Sequence, residues 1–518
     1  MRPTHPDDCS CGRHRCCGGP APDLSSLDEL SRRTFLGGAA LAGTALTGVA
    51  LGASVKADEL PAPKPRRAVV VKPVLIHDIP VRAPQTSWRS WGGIQTEADV
   101  AAERTRIDKE LCEISKTADF PVTFLPLTTA RNAAKLAGDP DVAKADVLLV
   151  YAAGGGVDGV EKLGKNVIFF LRHQSGPVSL WYEIISPSFL RQHTDTAKLT
   201  SIDAQDVVID KLDELTWRLR SLCGLVNTMG GRIVAIGGPQ AWAQPAGVVP
   251  DLCRKLWKLD IRTVPYPELG ERIKAMRADA GAVSLAEQRT DQYLASPGTS
   301  LKTDRAFVRN AMLLEQVFRR ILVEADCRSI TINSCMGTIM PMAETSACLC
   351  LSTMNDAGYL SFCESDFVVI PAGMLISGIA GRPFFMNDPT FPHDGLITLA
   401  HCTSARKLDG RNAEPATILS HFESDYGASP KVEMKVGQTV TNVIADFAAK
   451  RWVGVRAQVV GSPFLPICRS QVDVKVACDS LKLAERMPGF HWMTIYGDYT
   501  REIGYALKKV PITWECLG

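Results

Sequence analysis

The sequence has little net charge and, beyond residue 57, no long apolar run. Lysine and arginine total 58 against 56 acidic residues, so composition gives no reason to expect binding to nucleic acid or to an anionic membrane. No later stretch reaches about 18 uninterrupted apolar residues, which predicts a soluble mature chain. Haem, iron–sulfur and dinucleotide-binding motifs are also lacking there, which disfavours a redox-cofactor enzyme.

Size and composition indicate a large globular protein. Of the 518 residues, 46% are hydrophobic and 22% are charged, which are ordinary values for globular chains. At roughly 100–200 residues per domain, we expect two or three domains. A core of that size does not need disulfide support.

The 16 cysteines do not form the pattern of a disulfide framework. Twelve are scattered, several of them inside apolar runs, and are interpreted as small buried hydrophobes. The other four, Cys9, Cys11, Cys16 and Cys17, lie in a Pro/Gly/Arg-rich leader. Zinc binding is one interpretation of that cluster, and a disordered leader without metal is the one that its composition favours.

Residues 31–57 have the features of an export signal. Arg32 and Arg33 precede a weakly apolar, Gly- and Ala-rich run without acidic residues, and Ala57 stands where cleavage is expected. This pattern is typical of a twin-arginine signal; a membrane anchor is the alternative, which the weak hydrophobicity disfavours. We therefore expect the twin-arginine translocase to export the folded chain to the periplasm or another extracytoplasmic space.

Apolar periodicity predicts an α/β protein with a β-rich C-terminal part. Apolar strands alternate with helices up to about residue 400, which indicates parallel sheets covered on both faces. After that, short apolar runs alternate with turns, as in an antiparallel barrel or sandwich. Strands are predicted at 68–76, 120–125, 146–151, 166–171, 232–238, 329–334, 358–363, 383–388 and 396–402, and helices at 97–117, 126–143, 204–228, 343–357 and 367–379, with 251–325 mostly helical. The predicted regions are 1–57 (leader and signal), 58–67 (Pro-rich linker), 68–245 and 246–400 (α/β domains) and 401–518 (β-rich domain).

Polar residues at strand ends are the candidates for chemistry. Arg172 and His173 follow the strand at 166–171 and either face a cleft as substrate-binding groups or belong to a solvated loop. Glu364, Asp388 and His401 close three successive strands. Carboxylates gathered at such ends would need a cation, and Mn²⁺ or Mg²⁺ favours carboxylate ligands that an imidazole can complete.

His491 is a lone histidine near the C-terminus, in the string Pro488-Gly489-Phe490-His491-Trp492. On spacing alone, each of these four residues is more simply interpreted as an ion-paired carboxylate or a structural histidine. The sequence pattern by itself therefore leaves the metal site and the structural interpretation open.

Residues 200–518 resemble the L-fucose isomerase family, of the superfamily that includes L-arabinose isomerase. The strings that carry the resemblance are Asn355-Asp356-Ala357-Gly358, Cys363-Glu364-Ser365-Asp366, Asn387-Asp388, His401-Cys402, His421-Phe422-Glu423-Ser424 and Gly437-Gln438-Thr439-Val440-Thr441. The resemblance implies two Rossmann-like α/β domains and a C-terminal antiparallel barrel-like domain. It also implies a homotrimer or homohexamer.

The same resemblance implies a divalent cation, usually Mn²⁺, with Glu364, Asp388 and His491 as ligands and His401 nearby at the substrate. Glu364 and Asp388 would also serve as acid and base in aldose–ketose isomerisation. The expected function is that of an exported sugar isomerase, an intramolecular oxidoreductase acting on a small carbohydrate. The alternatives are a non-catalytic carbohydrate-binding protein on the same scaffold and another metal-dependent sugar lyase or epimerase.

Overall fold

The structure, a computed structural model, describes residues 60–89, 91–157, 159–176, 202, 204–242, 244–245 and 247–518. The predicted signal and the four leader cysteines lie outside these ranges. Residues Leu60–Gly518 form one unit. The strands are β1 (Val69–Ile76), β2 (Val122–Phe124), β3 (Thr128–Ala130), β4 (Val147–Ala152), β5 (Asn166–Leu171), β6 (Val207–Ile209), β7 (Arg232–Ile236), β8 (Asp260–Val264), β9 (Thr299–Leu301), β10 (Ser329–Ile332), β11 (Leu360–Phe362), β12 (Phe385–Pro389), β13 (Leu396–His401), β14 (Ala416–His421), β15 (Tyr426–Val432), β16 (Thr439–Ile444), β17 (Arg451–Gly461), β18 (Ser470–Val476), β19 (Trp492–Tyr496) and β20 (Thr513–Leu517).

Helices cover the sheets and connect them. They are α1 (Glu97–Thr117), α2 (Pro140–Lys144), α3 (Leu212–Thr228), α4 (Val248–Leu256), α5 (Tyr266–Ala278), α6 (Ala280–Leu294), α7 (Arg305–Glu324), α8 (Met340–Ala343), α9 (Cys348–Asp356), α10 (Ile370–Ala380), α11 (Ser480–Arg486) and α12 (Thr500–Lys508). Within the described ranges, no helix has both the length and the apolar character needed to cross a membrane.

Two parallel sheets make up the α/β part. The first has the order β2-β1-β4-β5-β6, with β3 also paired to β1, and the second has the order β11-β10-β7-β8. Every residue of β4 is buried, as expected for a parallel strand covered on both faces. The predicted α/β class is therefore confirmed. Strand β7 belongs to the second sheet, although the predicted boundary at residue 245 assigned it to the first α/β domain.

The C-terminal part contains a closed antiparallel barrel. Its six strands follow the order β16-β19-β12-β13-β18-β17, and pairing between β16 and β17 closes the ring. Strand β20 adds to β17 in parallel, and β15, β14 and β9 form a separate small sheet. The predicted β-rich region is thus a barrel, whose first strand, β12, begins before the predicted boundary at residue 401.

Two predicted helices are partly wrong. Residues 126–143 contain β3, a short 3₁₀ segment at Ala133–Gly138 and the five-residue α2. Pro140 lacks a backbone N–H, so it starts α2 instead of continuing a helix, and Asp139 caps that start. Residues 204–211 form a 3₁₀ turn and β6, because the β-branched run at 207–209 pairs with β5.

Residues 60–67, predicted to belong to a linker, are bound to the folded unit. The carbonyl oxygen of Pro61 accepts hydrogen bonds from Arg319 Nη1 (2.9 Å) and from the hydroxyl of Tyr359 (2.6 Å). Arg67 exchanges two hydrogen bonds with Asn227 of α3 through its backbone. This segment is therefore a strap on the body of the protein.

Helices α3 and α10 approach closely at a pair of glycines. A Cβ atom at Gly224 would lie 2.2 Å from Ile379 Cγ1 and 3.0 Å from the Ile379 backbone nitrogen. Across the contact, a Cβ atom at Gly378 would lie 3.1 Å from the Gly224 Cα atom. Only residues without side chains allow these two helices to pack at this distance.

We expect the substitution Gly224→Ala to lower the free energy of unfolding by about 1–3 kcal/mol, because the methyl group has no space unless α10 moves. Gly138→Ala is the matched control, since a Cβ atom there meets nothing within 4 Å. Urea unfolding of both variants checks the prediction. Equal stability of the two variants would contradict it.

Candidate metal centre

The candidate site lies where the second sheet meets one end of the barrel. Glu364 follows β11, Asp388 lies in β12, His401 ends β13 and His491 directly precedes β19. In the barrel, Asn387 pairs with Trp492 and Asp388 pairs with Ala400. This register places Asp388 beside His491 on one side and next to the end of β13 on the other.

The four side chains that the sequence singled out meet at this point. His491 Nε2 lies 3.1 Å from Asp388 Oδ1 and 3.4 Å from Glu364 Oε2. His401 Nε2 lies 3.7 Å from Glu364 Oε1. The imidazoles are almost fully buried, whereas the side chains of Glu364 and Asp388 are 28% and 31% exposed. The cluster is therefore open to solvent on its carboxylate side.

Backbone packing fixes the approach of His491. A Cβ atom at Gly489, two residues earlier, would lie 2.2 Å from the carbonyl oxygen of Ala445 at the end of β16. Glycine is therefore needed for the chain to pass this close to the barrel before it enters β19. The sequence feature that explains the position of His491 is thus the Gly-Phe-His order.

Asp366 orients the ring of His491. Its Oδ2 lies 2.7 Å from His491 Nδ1, and its Oδ1 accepts the backbone N–H groups of Trp242 and Val368. A carboxylate on Nδ1 holds the proton there and leaves the lone pair of Nε2 available to a cation. Asp366 was not among the predicted site residues, although the Cys-Glu-x-Asp string contains it.

The turn that presents Glu364 is strained. Glu364 and Ser365 have φ values of 61° and 49°, in the left-handed region that non-glycine residues seldom adopt. Hydrogen bonds from Gln240 N to the Ser365 carbonyl and from Phe367 N to the Gln240 carbonyl hold this turn against the end of β7. Such strain, of order 1–3 kcal/mol per residue, is typical of functional turns.

The electrostatics of the cluster favour a cation. Burial by itself would raise the pKa of Glu364, but attraction to His491 and His401 outweighs burial and lowers that pKa. For His491, burial opposes the charged form, but Asp366, Asp388 and Glu364 together raise its pKa well above the ordinary value. Three carboxylates around one imidazole carry a net negative charge whether or not the imidazole is protonated, and a divalent cation would offset most of that charge.

The donor geometry fits a hard divalent ion. Asp388 Oδ1 and His491 Nε2 are both buried, and neither has a hydrogen-bond partner among the described residues. Although 3.1 Å apart, they are not aligned for a hydrogen bond to each other. Two ligands at right angles on a cation at about 2.1 Å are about 3 Å apart, which is close to this separation. The ligand atoms of Asp388, His401 and His491 lie within 4.8 Å of one another, as do those of Cys363, Glu364 and His401, so this cluster could hold a metal ion.

A second group of possible metal ligands lies nearby and differs in chemistry. Cys348, Cys402 and His421 are buried with their ligand atoms within 4.8 Å of one another. Sulfur ligands suit zinc or copper better than manganese. All described cysteines are free thiols, as the sequence predicted.

An aromatic pair borders the carboxylate cluster. The rings of Trp242 and Phe490 stack with centroids 3.9 Å apart, and Trp242 also meets the edge of His491 at 5.9 Å. Phe490 is 43% exposed, so this pair offers an apolar surface beside the proposed ligands. Trp242 was missed by the sequence analysis, since a lone tryptophan in a loop carries no signal of its own.

Arg172 and His173 lie at the end of β5 in the first sheet. The Arg172 guanidinium is buried between Glu103 and Glu110 of α1, with paired contacts of 3.1 and 2.9 Å to Glu110. These two carboxylates neutralise the charge of Arg172 beside the first sheet. Its predicted role at a substrate, and that of His173, stay predictions.

Asp210 holds the turn after β5. Its carboxylate accepts the backbone N–H groups of His173, Gln174 and Ser175 at 2.8–3.1 Å. Burial acts to raise the pKa of Asp210, but these bonds and the Ser175 hydroxyl outweigh it and lower the pKa. Because the folded-state pKa lies below that of the unfolded chain, the resulting stability is present above about pH 4 and is lost as the pH falls further.

We expect Asp210→Asn to lower the free energy of unfolding at pH 7 by about 1 kcal/mol, after allowance for solvent screening at this exposed site. Asparagine tolerates the φ of 58° at this position, so the change removes charge without adding strain. Urea midpoints of the variant and of wild type are measured from pH 7 to pH 3.5, and the difference between them should become smaller below pH 4. A difference that does not change with pH would argue against the charge of Asp210 as its cause.

No protein-family model matches the chain, and no curated protein sequence matches it. A functional conclusion about this chain therefore depends on the carboxylates, imidazoles and aromatic pair of this site.

Proposed function

We propose that this chain is a divalent-cation-dependent aldose–ketose isomerase, with Mn²⁺ as the preferred ion and Mg²⁺ as an alternative. The observation that carries the proposal is the meeting of Glu364, Asp388 and His491, where Asp388 Oδ1 and His491 Nε2 are buried and have no hydrogen-bond partner among the described residues. A bound cation would polarise a sugar carbonyl and stabilise the enediolate that forms on proton transfer.

The chain's own residues would move the proton. Isomerisation takes hydrogen from C2 to C1 of the sugar and a hydroxyl proton from O2 to O1, so no oxidant or reductant is consumed. Glu364 is ionised at neutral pH and would accept the C2 proton and return it to C1. Asp388 would transfer the proton between the oxygen atoms O2 and O1.

Neighbouring residues would bind the sugar. His401 is buried, and its Nδ1 lies 3.0 Å from the Thr403 hydroxyl, which leaves Nε2 directed at Glu364 and the substrate hydroxyls. The stacked pair of half-buried Trp242 and exposed Phe490 would cover an apolar face of the sugar ring and exclude water from it.

Elemental analysis and a sugar screen test the proposal. Protein purified without chelator should contain about one equivalent of Mn²⁺ or a related divalent ion per chain. With Mn²⁺ added, a panel of aldoses should yield ketoses that are detected by chromatography. Metal binding without turnover of any sugar would support the metal site but would overturn the proposed isomerase activity.

The stacked aromatic pair favours a second candidate, a carbohydrate-binding protein without catalysis. Equal sugar affinity in the presence of Mn²⁺ and of chelator, with no conversion of the sugar, would select it. Conversion of the panel to epimers or to unsaturated sugars would instead select a metal-dependent epimerase or lyase.

The wider setting is part of the same proposal. We infer that the two parallel sheets represent two Rossmann-like domains, that the chain is exported by the twin-arginine translocase and acts outside the cytoplasm, and that it assembles as a trimer or hexamer. Size-exclusion chromatography with light scattering tests the assembly, and fractionation of expressing cells tests the location.

A further inference from the structure

A basic cavity lies beneath the strap formed by residues 60–67. Its volume is about 320 Å³, and it is bordered by Pro63–Arg66, by the chain from Asn355 to Tyr359 and by the end of α10. None of the residues of the candidate metal centre borders it. The residues that line it with positive charge are Lys64, Arg66, Arg328, Arg382 and Lys407.

Arg328 is the most constrained of these cations. Its Nη2 is buried without a hydrogen-bond partner, and among the described residues its guanidinium has no ion pair. Burial, together with a smaller effect of the charge of Arg66, lowers the pKa of Arg328 to about 10. Desolvation of an arginine side chain beside a second cation is unfavourable unless an anion lies close to both of them.

The neighbouring cations leave this charge uncompensated. Arg66 donates from Nη1 to the carbonyl oxygen of Gly378 at 2.9 Å, which is a neutral acceptor. The carboxylate that attracts Arg66 from a distance, Asp119, is itself paired with Arg220 at 2.7 Å. Lys64 is the exception, since it contacts Asp326 at the outer edge.

A single carboxylate lines the cavity among the described residues, and it is already engaged. Asp356 Oδ1 accepts the backbone N–H groups of Arg406 and Lys407 at 2.8 and 2.7 Å. Burial raises the pKa of Asp356 to about 6. One carboxylate therefore faces five cations across the cavity.

We propose that this cavity binds the phosphate group of a small phosphorylated molecule. Several cations against one engaged carboxylate suit a dianion better than a monoanion, and phosphate carries a charge of about −1.5 to −2 at pH 7. The volume lies at the lower end of the roughly 300–1,000 Å³ of ligand pockets, enough for a phosphate with a small organic group. The proposal is independent of the isomerase activity, since the two sites share no residue.

Titration calorimetry on the complete mature protein, treated with a chelator to remove bound metal, tests the inference. The probes are inorganic phosphate, glucose 6-phosphate and citrate, each at one constant ionic strength. We expect both phosphates to bind more tightly than citrate. Arg328→Met should weaken phosphate binding at least tenfold, whereas Arg104→Met, an exposed arginine of α1, should leave it unchanged.

Lys407→Met provides a second variant, because this lysine is exposed and its loss should not disturb folding. We expect it to weaken phosphate binding at least threefold. Three results would overturn the inference: no phosphate binding at 10 mM, equal affinity in wild type and both lining variants, or citrate binding more tightly than either phosphate.

Discussion

Glu364→Gln is expected to abolish turnover and to lower the affinity for Mn²⁺ at least a hundredfold, with the fold intact. The amide keeps the shape of the side chain but removes one of the negative charges that surround His491. A neutral amide oxygen binds a hard cation more weakly than a carboxylate does, and an amide does not accept the C2 proton. Calorimetry with Mn²⁺, the sugar assay and circular dichroism measure the three parts of this result.

Glu423→Gln is the matched control for this change. Glu423 is an exposed residue near the site, and partial desolvation is the main cause that raises the pKa of its carboxyl, with a contribution from the charges of Glu364 and Asp388. It is not in contact with His491, so the variant should keep Mn²⁺ affinity within about threefold of wild type. A Glu364→Gln protein with wild-type metal affinity and turnover would remove Glu364 from the mechanism.

Asp366→Asn should lower Mn²⁺ affinity and turnover by about 10–100-fold, although Asp366 is not a proposed ligand. Its Oδ1 is committed to the N–H groups of Trp242 and Val368, so the amide nitrogen of the new residue would face His491 Nδ1. A donor at that position requires Nδ1 to accept, which moves the ring proton to Nε2. The nitrogen that should bind the cation would then carry a proton.

Nitrogen NMR of the imidazole in metal-free protein above the pKa of His491 reports this tautomer directly. We expect the Nδ1–H form in wild type and the Nε2–H form in the Asp366→Asn protein. Ser365→Ala is the control, because the buried Ser365 hydroxyl has no partner among the described residues and its loss leaves the tautomer unaffected. A loss of metal affinity without a change of tautomer would indicate a merely structural role for Asp366.

Secondary structure was predictable where one local signal dominated. The fully apolar run of β4 and the capped, periodic α1 were predicted close to their observed ends, because burial and capping act within one element. Residues 126–143 were not, because Pro140 and pairing with β1 override the helical periodicity there. Strand β8 lies within residues 251–325, which were predicted to be mostly helical. It was missed because it pairs along one edge only and contains polar residues, so it lacks the apolar run of a buried strand.

For the site, the sequence by itself placed Glu364, Asp388 and His401 at predicted strand ends, and the family resemblance added His491. Only the tertiary structure decided that they meet, because barrel pairing joins Asp388 to His491 across about a hundred residues of chain. It likewise revealed Asp366 and Trp242, and it gave Arg172 carboxylate partners of its own. Distance along the chain carries no information about such contacts, since they depend on sheet register and on the close approach of separate layers.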